Sequence, residues 1–238
     1  MPIPWIDNNK LEFPPTELAS TEPNGLLAVG GDLRLERLLK AYELGIFPWY
    51  EEGQPILWWA PDPRMVLQPD RLRVSRSLRK LLRQGRYELS MDKAFAAIIA
   101  ACSEARGEKT GTWITEDMQS AYSELHASGF AHSVEIWSGS ELVGGLYGVA
   151  LGQVFFGESM FSKRDNTSKL ALVYLVKQLQ QWNYQLIDCQ VSSKHLLSLG
   201  AVEISRSLFQ QKLDQFATTP GTPGPWQFDA DVLAGDWF

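Results

Sequence analysis

The order of predicted strands and helices between residues 132 and 204 most constrains how this chain can fold. Three strand-like segments follow one another with only hairpin-sized separators, namely HSVEIW (132–137), ELVGGLYGVAL (141–151) and QVFFGESMF (153–161). A helix is predicted from about Thr167 to Trp182, because its apolar residues recur at helical spacing. After it come a predicted strand at 184–191, a short helix at 193–199 and a strand at 201–204.

A meander followed by a long helix, a strand, a short helix and a strand is typical of the acetyltransferase-like (GNAT) α+β architecture. Such an order predicts a fold and does not by itself identify a chemistry. Residues 1–64 differ, because they are rich in proline, tryptophan and glycine and hold one convincing helix at about 34–44. We therefore expect an α+β protein with a small N-terminal domain at 1–64 and a GNAT-like domain at 65–238. Further helices are predicted at about 75–84, 92–104, 115–127 and 207–216, before an irregular tail at 218–228.

Composition excludes several classes of protein. Apolar residues make up 45% of the chain and charged residues 21%, which is enough apolar surface for a buried core. Two cysteines are too few for a disulfide scaffold or a cysteine zinc cage, and no metal-binding motif occurs. The start of the chain lacks a secretory signal, and the stretch 144–157 is too short and glycine-rich to cross a bilayer. We expect a soluble cytoplasmic protein without a metal or a membrane segment.

The net charge of −6 hides a strongly basic segment at 71–86, RLRVSRSLRKLLRQGR. It holds seven basic and no acidic side chains, so it can bind a polyanion locally although the chain is acidic. Ser75 is placed to cap a helix here, and Gly85 is placed to end it. Four cations are then predicted to point outward, Arg76, Arg79, Lys80 and Arg83. They form either a solvated helix face or a stripe that contacts phosphates.

Three polar residues interrupt otherwise apolar strands. Glu158 lies in FFGESMFS, and Asp188 and Gln190 lie two apart in LIDCQV, which predicts that these two share one face of a strand. Buried polar groups need partners, so the three residues can simply satisfy one another or nearby backbone groups. Alternatively they line a cleft in which Asp188 orients Gln190 and the pair holds an attacking amine.

Two of the nine tryptophans are predicted outside regular core positions. Trp49 lies in the loop GIFPWY, and Trp113 lies at a helix entry in GTWITED. An indole at the edge of a cleft can stack on a nucleobase. Trp58 and Trp59 are adjacent, so we expect only one of them to lie in the core.

Taken together, several motifs resemble one bacterial family over about residues 23–213. They are NGLLAVGGDL, GIFPWY, PILWWAPDPR, GTWITEDM, ELVGGLYGVALG, FFGESMFS and LIDCQV. In this order and at this spacing they resemble the leucyl/phenylalanyl-tRNA–protein transferases. The resemblance implies transfer of leucine or phenylalanine from its tRNA to the α-amine of a protein that begins with arginine or lysine. The new N-terminus would mark that protein for N-end rule proteolysis.

The resemblance also implies roles for particular residues. Trp49 and Trp113 would sandwich the terminal adenosine of the tRNA, and Glu158, Asp188 and Gln190 would lie in the catalytic cleft. The pocket for the transferred side chain would include Leu146, Phe155, Met160, Ser162, Leu172, Leu175, Leu179 and Ile187. The outward-pointing cations at 76, 79, 80 and 83 would bind tRNA. No cofactor is implied, the partners are Leu-tRNA, Phe-tRNA and the acceptor protein, and a monomer is expected.

Two other functions compete with this one. An acyl-CoA-dependent N-acetyltransferase would share the predicted fold, but it would usually carry a glycine-containing pyrophosphate loop before the long helix. The sequence there reads SKRDNTSK (162–169), without glycine. An RNA-binding module without catalytic activity would explain the basic segment but not the polar strand residues.

Overall fold

A computed structural model describes residues 3–110 and 112–235 of the chain, and for residues 106–110 it describes only the backbone. Gly111, the first residue of the motif GTWITEDM, lies outside the described residues, as do residues 1–2 and 236–238 at the ends of the two predicted domains. The described residues form a mixed α+β structure with one small and one large sheet.

The small sheet belongs to the first sixty residues and has four short strands in the order β1-β2-β4-β3. They are β1 Trp5–Ile6, β2 Leu26–Gly30, β3 Phe47–Pro48 and β4 Leu57–Trp59. Helix α1, Leu35–Glu43, lies within the predicted 34–44. Gly45 follows it at φ 69°, and a Cβ at this position would collide with the ring of Phe209. Both the backbone conformation and the lack of space therefore require glycine.

The large sheet has seven strands in the order β11-β5-β10-β9-β8-β7-β6. They are β5 Arg64–Leu67, β6 Glu88–Met91, β7 Ala131–Ser138, β8 Glu141–Leu151, β9 Val154–Ser162, β10 Leu186–Gln190 and β11 Val202–Ile204. The predicted meander is confirmed as β7, β8 and β9, which pair antiparallel. Neighbours β9 and β10 are parallel, as a connection through a crossover helix requires.

Within the described residues, seven more α-helices surround this sheet. They are α2 Arg76–Arg83, α3 Phe95–Thr110, α4 Glu116–Ala127, α5 Thr167–Gln181, α6 Lys194–Ser198, α7 Arg206–Phe216 and α8 Ala230–Ala234. The predicted caps are confirmed, since the Ser75 hydroxyl accepts the N–H of Leu78 and the Thr115 hydroxyl accepts that of Met118. Helix α3 starts three residues later and ends six residues later than the predicted 92–104. Its delayed start follows from Asp92, which has φ 54° and uses its carboxylate to bind Ser133 N–H and the His132 ring.

The large sheet is covered on both faces. Helix α5 packs on one face with Leu172, Leu175 and Ile187 in a common apolar core. On the other face, α3 and α4 share a core with α1 and the small sheet, and Trp58 lies fully buried there while Trp59 is only partly buried. The first sixty residues are therefore packed directly against the large sheet, not linked to it by a free tether.

Some elements were not predicted from sequence. Strands β5 and β6 are four residues each, too short for a clear alternation, and they are held by neighbours distant in sequence. The predicted irregular tail at 218–228 is confirmed as non-helical, but it is well packed, since Trp226 is 1% exposed and stacks on His132. Among residues 3–110 and 112–235, no helix is long and apolar enough to span a membrane, and no three potential ligands of the His, Cys, Asp or Glu types cluster as a metal site would require.

Candidate functional site

A gap between the parallel strands β9 and β10 opens the large sheet near its centre. The two strands pair only from Leu186↔Val154 to Asp188↔Phe156, and beyond this register they diverge. A cavity of about 340 Å³ occupies the region, lined by Gly157 to Met160 from β9 and by Cys189, Gln190 and Val191 from β10 and its end. The divergence begins where Gln190 takes φ 62° and a bulge shifts the pairing of β10 with β5.

One wall of this cavity is apolar. It contains six of the predicted pocket residues, namely Leu146, Phe155, Met160, Leu172, Leu175 and Ile187. The other two predicted pocket residues do not line it. Leu179 is fully buried further along α5, and exposed Ser162 uses its hydroxyl to accept the N–H of Ser168 at the start of α5. The resemblance placed Leu179 in the pocket, but the structure places it in the core beside the cavity lining.

Two indoles stand at the opening of the cavity. Trp49, 42% exposed, and Trp113, partly buried, both line it although they are 64 positions apart in sequence. Trp59 supports the first of them, because its Nε1–H donates to the Trp49 carbonyl at 2.7 Å and the two rings lie 5.6 Å apart. The cavity lining therefore combines two indoles, one of them exposed to solvent, with an apolar wall.

A buried polar cluster forms another part of the wall. Glu158 accepts hydrogen bonds at one carboxyl oxygen from the hydroxyl of Tyr42 (2.8 Å) and the side-chain amide of Gln190 (2.8 Å). Its other oxygen accepts from the hydroxyl of Tyr122 at 3.1 Å, and the two tyrosine hydroxyls also contact each other. Glu158 is 7% and Gln190 8% exposed. The bond between Glu158 and Gln190 thus bridges the diverging strands.

The ionisation of Glu158 is strongly perturbed. Burial raises the pKa of Glu158 from 4.5 to about 7, against the hydrogen bonds from Tyr42, Tyr122 and Gln190, which lower it. The nearby Asp188 carboxylate raises the pKa further. Glu158 can therefore gain and lose a proton near neutral pH.

Asp188 lies behind the cavity wall and is held by an arginine. Arg64 donates from Nε to one Asp188 oxygen at 2.8 Å and from Nη2 to the other at 2.6 Å. The guanidinium carbon of Arg64 lies 4.8 Å from the ring centre of Phe47 and 4.6 Å from that of Phe209. Both members of the pair are buried. Asp188 therefore reaches the cavity only through its neighbours.

The structure relates Asp188 and Gln190 by a different geometry from the one predicted. Regular alternation does not relate them, because the left-handed backbone of Gln190 and the bulge interrupt the strand. Instead, the backbone N–H of Gln190 donates to the Asp188 carboxylate at 2.9 Å. This bond holds Gln190 in a conformation that a non-glycine residue rarely adopts, with its side-chain amide on Glu158.

The basic segment is joined by a backbone hydrogen bond to an element of the cavity wall. Arg76, Arg79, Lys80 and Arg83 are exposed on α2, whose Leu78 and Leu82 are buried. Just before this helix, the backbone N–H of Arg73 donates to the carbonyl of Leu199 at 2.8 Å. Leu199 ends α6, and α6 contributes His195 and Leu196 to the cavity lining. The chain just before the basic helix is thus bound to the end of a helix that lines the cavity.

Sequence reasoning missed several residues of the site. Tyr42, Tyr122 and Arg64 lie in ordinary helix or strand contexts, and His195 lies in a short helix. One indication of these residues is present in the sequence. Buried carboxylates at Glu158 and Asp188 need hydrogen-bond donors, but the sequence does not show which residues donate. Burial and the charge of Lys169 lower the pKa of His195, which is another perturbed titratable group at the cavity.

Comparisons with known sequences identify one family. A family profile described as leucyl/phenylalanyl-tRNA protein transferase matches residues 66–214, and a profile described as the N-terminal domain of these transferases matches residues 31–62. The leucyl/phenylalanyl-tRNA–protein transferase of Cellvibrio japonicus is 58% identical over 218 residues, 92% of this chain and 93% of that protein. The transferase of the same name from Pseudomonas fluorescens SBW25 is 57% identical over 224 residues, 94% and 99% of the two chains. Among solved structures, L-PGS from Bacillus licheniformis aligns with a TM-score of 0.41 and 11% identity, over 71% of this chain and 54% of that one.

Proposed function

Since this chain belongs to the leucyl/phenylalanyl-tRNA–protein transferase family, we propose that the cavity between β9 and β10 is where its aminoacyl transfer takes place. The protein is an aminoacyltransferase that takes leucine or phenylalanine from tRNA. The acceptor in this proposal is the α-amine of a protein that begins with arginine or lysine, and the product is a substrate for N-end rule proteolysis.

The observation that carries the proposal is the meeting of three surfaces at one opening. An apolar wall, a polar cluster around Glu158 and two indoles all line the same cavity. These are the surfaces that an apolar side chain, an amine and a terminal nucleoside require. The aminoacyl ester at the end of the tRNA, held between these surfaces, would place its amino-acid side chain against Leu172 and Leu175. Its terminal adenosine would lie at Trp49 and Trp113.

The reaction needs little chemistry from the protein. The donor ester is already activated, so a neutral amine attacks its carbonyl and the ribose oxygen leaves. What accelerates this step is orientation, a group that takes the amine proton, and donors for the oxyanion. Gln190 holds the amine in this proposal, and Asp188, locked by Arg64, is a positioning residue that fixes Gln190. Neither a metal ion nor a nucleotide cofactor is needed for an ester that is already activated.

The finer features of the fold and assembly are part of the same proposal. The order of β7 to β11 with α5 and α6 supports a GNAT-like domain at 65–238, joined to a small domain at 1–64. We also propose that the protein works as a monomer in the cytoplasm, where its charged tRNA substrates are made.

The donor pocket is expected to transfer leucine, phenylalanine and methionine, and to transfer valine and isoleucine poorly. The wall formed by Leu146, Phe155, Met160, Leu172 and Ile187 is apolar, so charged side chains would be buried without partners. Discrimination by one methylene is worth only about 1–3 kcal/mol, so the rejection of β-branched residues is partial. This discrimination is measured by competition between two aminoacylated forms of the same tRNA, for example one carrying leucine and one carrying valine. Efficient transfer of valine would contradict the assignment of this wall.

The basic stripe of α2 is expected to bind the acceptor stem through phosphates. Replacing any one of Arg76, Arg79, Lys80 or Arg83 by alanine should weaken binding similarly for different tRNA bodies. Each replacement should also flatten the dependence of log affinity on log salt by about one unit. Salt titrations of tRNA binding measure both effects. Unchanged binding after all four replacements would leave the stripe as a solvated helix face.

One assay tests the proposed function against its competitors. The protein is incubated with Phe-tRNA and a peptide that begins with arginine, in the absence of coenzyme A, and labelled peptide is measured. Transfer is expected, and it should fall when the peptide begins with an acidic residue. An acyl-CoA acetyltransferase would give no product under these conditions, and an RNA-binding module would retain tRNA without forming product.

A further inference from the structure

Glu158 is the one carboxyl group that lines the cavity among the described residues. The lining also includes the ionisable side chains of Tyr147, Cys189 and His195. Burial raises the pKa of the Cys189 thiol well above its ordinary value, so the thiol stays protonated at neutral pH. Asp188 is next to the site, but both of its oxygens are occupied by Arg64.

The hydrogen bonds around Glu158 leave room for one proton. Three oxygen–oxygen contacts join Glu158, Tyr42 and Tyr122 into a closed ring. When Glu158 is ionised, the two tyrosine hydroxyls supply two protons for these three contacts. When Glu158 is neutral, three protons fill three hydrogen bonds, and each of the three residues donates one and accepts one within the ring, since one carboxyl oxygen donates and the other accepts. Gln190 donates to the ring from outside in both states.

The elements packed around Glu158 contribute tyrosines and one carboxylate whose charge is compensated. Helix α1 contributes Tyr42, helix α4 contributes Tyr122, and strand β8 contributes Tyr147, whose ring packs on Tyr122. Strand β10 contributes Asp188, whose charge is compensated by Arg64 of β5. The ring therefore has no cation of its own among the described residues, and an incoming ammonium group would supply one.

We propose that Glu158, supported by Tyr42 and Tyr122, is the general base that takes the proton from the acceptor's α-amine during aminoacyl transfer. This inference rests on the proposed function of the cavity. The amine nitrogen forms a bond to the ester carbonyl carbon while one of its protons passes to a Glu158 oxygen. The bond from that carbon to the ribose oxygen then breaks, and Glu158 returns the proton to the leaving ribose oxygen. The products are an amide and a ribose hydroxyl, and Glu158 is regenerated.

The pH dependence of this role has a definite sign. The carboxylate is the active form, so activity falls as the pH falls through about 7, where Glu158 becomes protonated. The acceptor amine must also be neutral to attack, and its ordinary pKa is about 8. Log kcat/KM for the acceptor should therefore rise with a slope of two below pH ~7 and with a slope of one between ~7 and ~8.

The test compares this profile in the wild type and in Glu158→Gln. The variant keeps the size of the side chain and one accepting oxygen, but it replaces the other oxygen by a donating NH2 group and removes the base. Its kcat should fall by about 10²–10⁴-fold, and the slope below pH 7 should drop from two to one. Affinity for Phe-tRNA should stay close to that of the wild type. Glu158→Asp, which retains a carboxylate, should restore the slope of two at a reduced rate.

The matched control is Glu135→Gln, because Glu135 is also a buried strand glutamate that accepts from two serine hydroxyls, but it lies on β7 and does not line the cavity. It should keep the slope of two. A slope of two that persists in Glu158→Gln would overturn the proposal. It would also be overturned if His195→Gln lost the slope of two and Glu158→Asp failed to restore activity. If the wild type itself transfers nothing to the peptide, the proposed function fails; if only the profiles disagree, the base assignment fails alone.

Discussion

Asp188→Asn is expected to lower the free energy of unfolding by about 3–5 kcal/mol, the range found when one partner of a buried ion pair is removed. The side chain of Asp188 is fully buried and that of Arg64 nearly so, and the Arg64 guanidinium is enclosed between Phe47 and Phe209. Asparagine offers one neutral oxygen where the carboxylate offered two charged ones, so the guanidinium stays buried without compensation. Urea unfolding followed by circular dichroism measures the loss.

Asp32→Asn is the matched control for this prediction. Asp32 also pairs with a fully buried arginine, Arg37, but it is itself partly exposed. Arg37 in addition donates to the backbone carbonyls of Lys10, Asp7 and Asn8. These bonds survive the substitution, so the expected loss is only about 1 kcal/mol. If Asp188→Asn lowered the free energy of unfolding no more than Asp32→Asn does, the importance of the buried pair of Arg64 and Asp188 for stability would be contradicted.

Activity provides the second measurement on Asp188→Asn. Under conditions where the variant is shown to be folded, kcat/KM for the acceptor should fall while tRNA affinity stays nearly intact, because Asp188 acts through Gln190 and contacts no phosphate. Full activity in the folded variant would limit Asp188 to a structural role. The same conclusion would follow if activity were lost only to the extent that the protein unfolded.

Local signals explain why much of the fold could be predicted from the sequence. The boundaries of α2 and α4 depend on Ser75 and Thr115, whose hydroxyls bond to the N–H three residues later. The meander β7 to β9 depends on short turns between adjacent segments. These interactions join residues that are close in the sequence, so the pattern of residue types contains them.

The arrangement of the site depends on contacts that no local pattern contains. Tyr42 and Glu158 are 116 positions apart, and Arg64 and Asp188 are 124 apart. The cavity exists because β9 and β10 pair over three residues and then diverge, which is a property of the sheet and not of either strand. Glu158 and Gln190 could be selected from sequence as polar residues in apolar strands, but their partners and the bridge between them required the fold.

Trp49→Ala or Trp113→Ala is expected to raise the KM for charged tRNA by about tenfold or more. Both indoles line the entrance of the cavity, and stacking of a base on an aromatic side chain is worth about 1–3 kcal/mol. Phenylalanine at either position should cause a smaller increase, because a ring remains to stack on the adenine. Steady-state kinetics at a saturating concentration of the acceptor peptide measure these values.

The control for the stacking prediction is Trp5→Ala, because Trp5 is 72% exposed on β1 and does not line the cavity. It should leave the KM unchanged. Trp59→Phe tests whether Trp49 must be held in place. It removes the Nε1–H that donates to the Trp49 carbonyl but keeps an aromatic ring at position 59. If Trp49 must be held to stack, Trp59→Phe should raise the KM by less than Trp49→Ala and should add little to it in the double variant. Equal damage from phenylalanine and alanine at Trp49 and Trp113 would instead assign both indoles to packing, and the adenosine would then have to bind elsewhere.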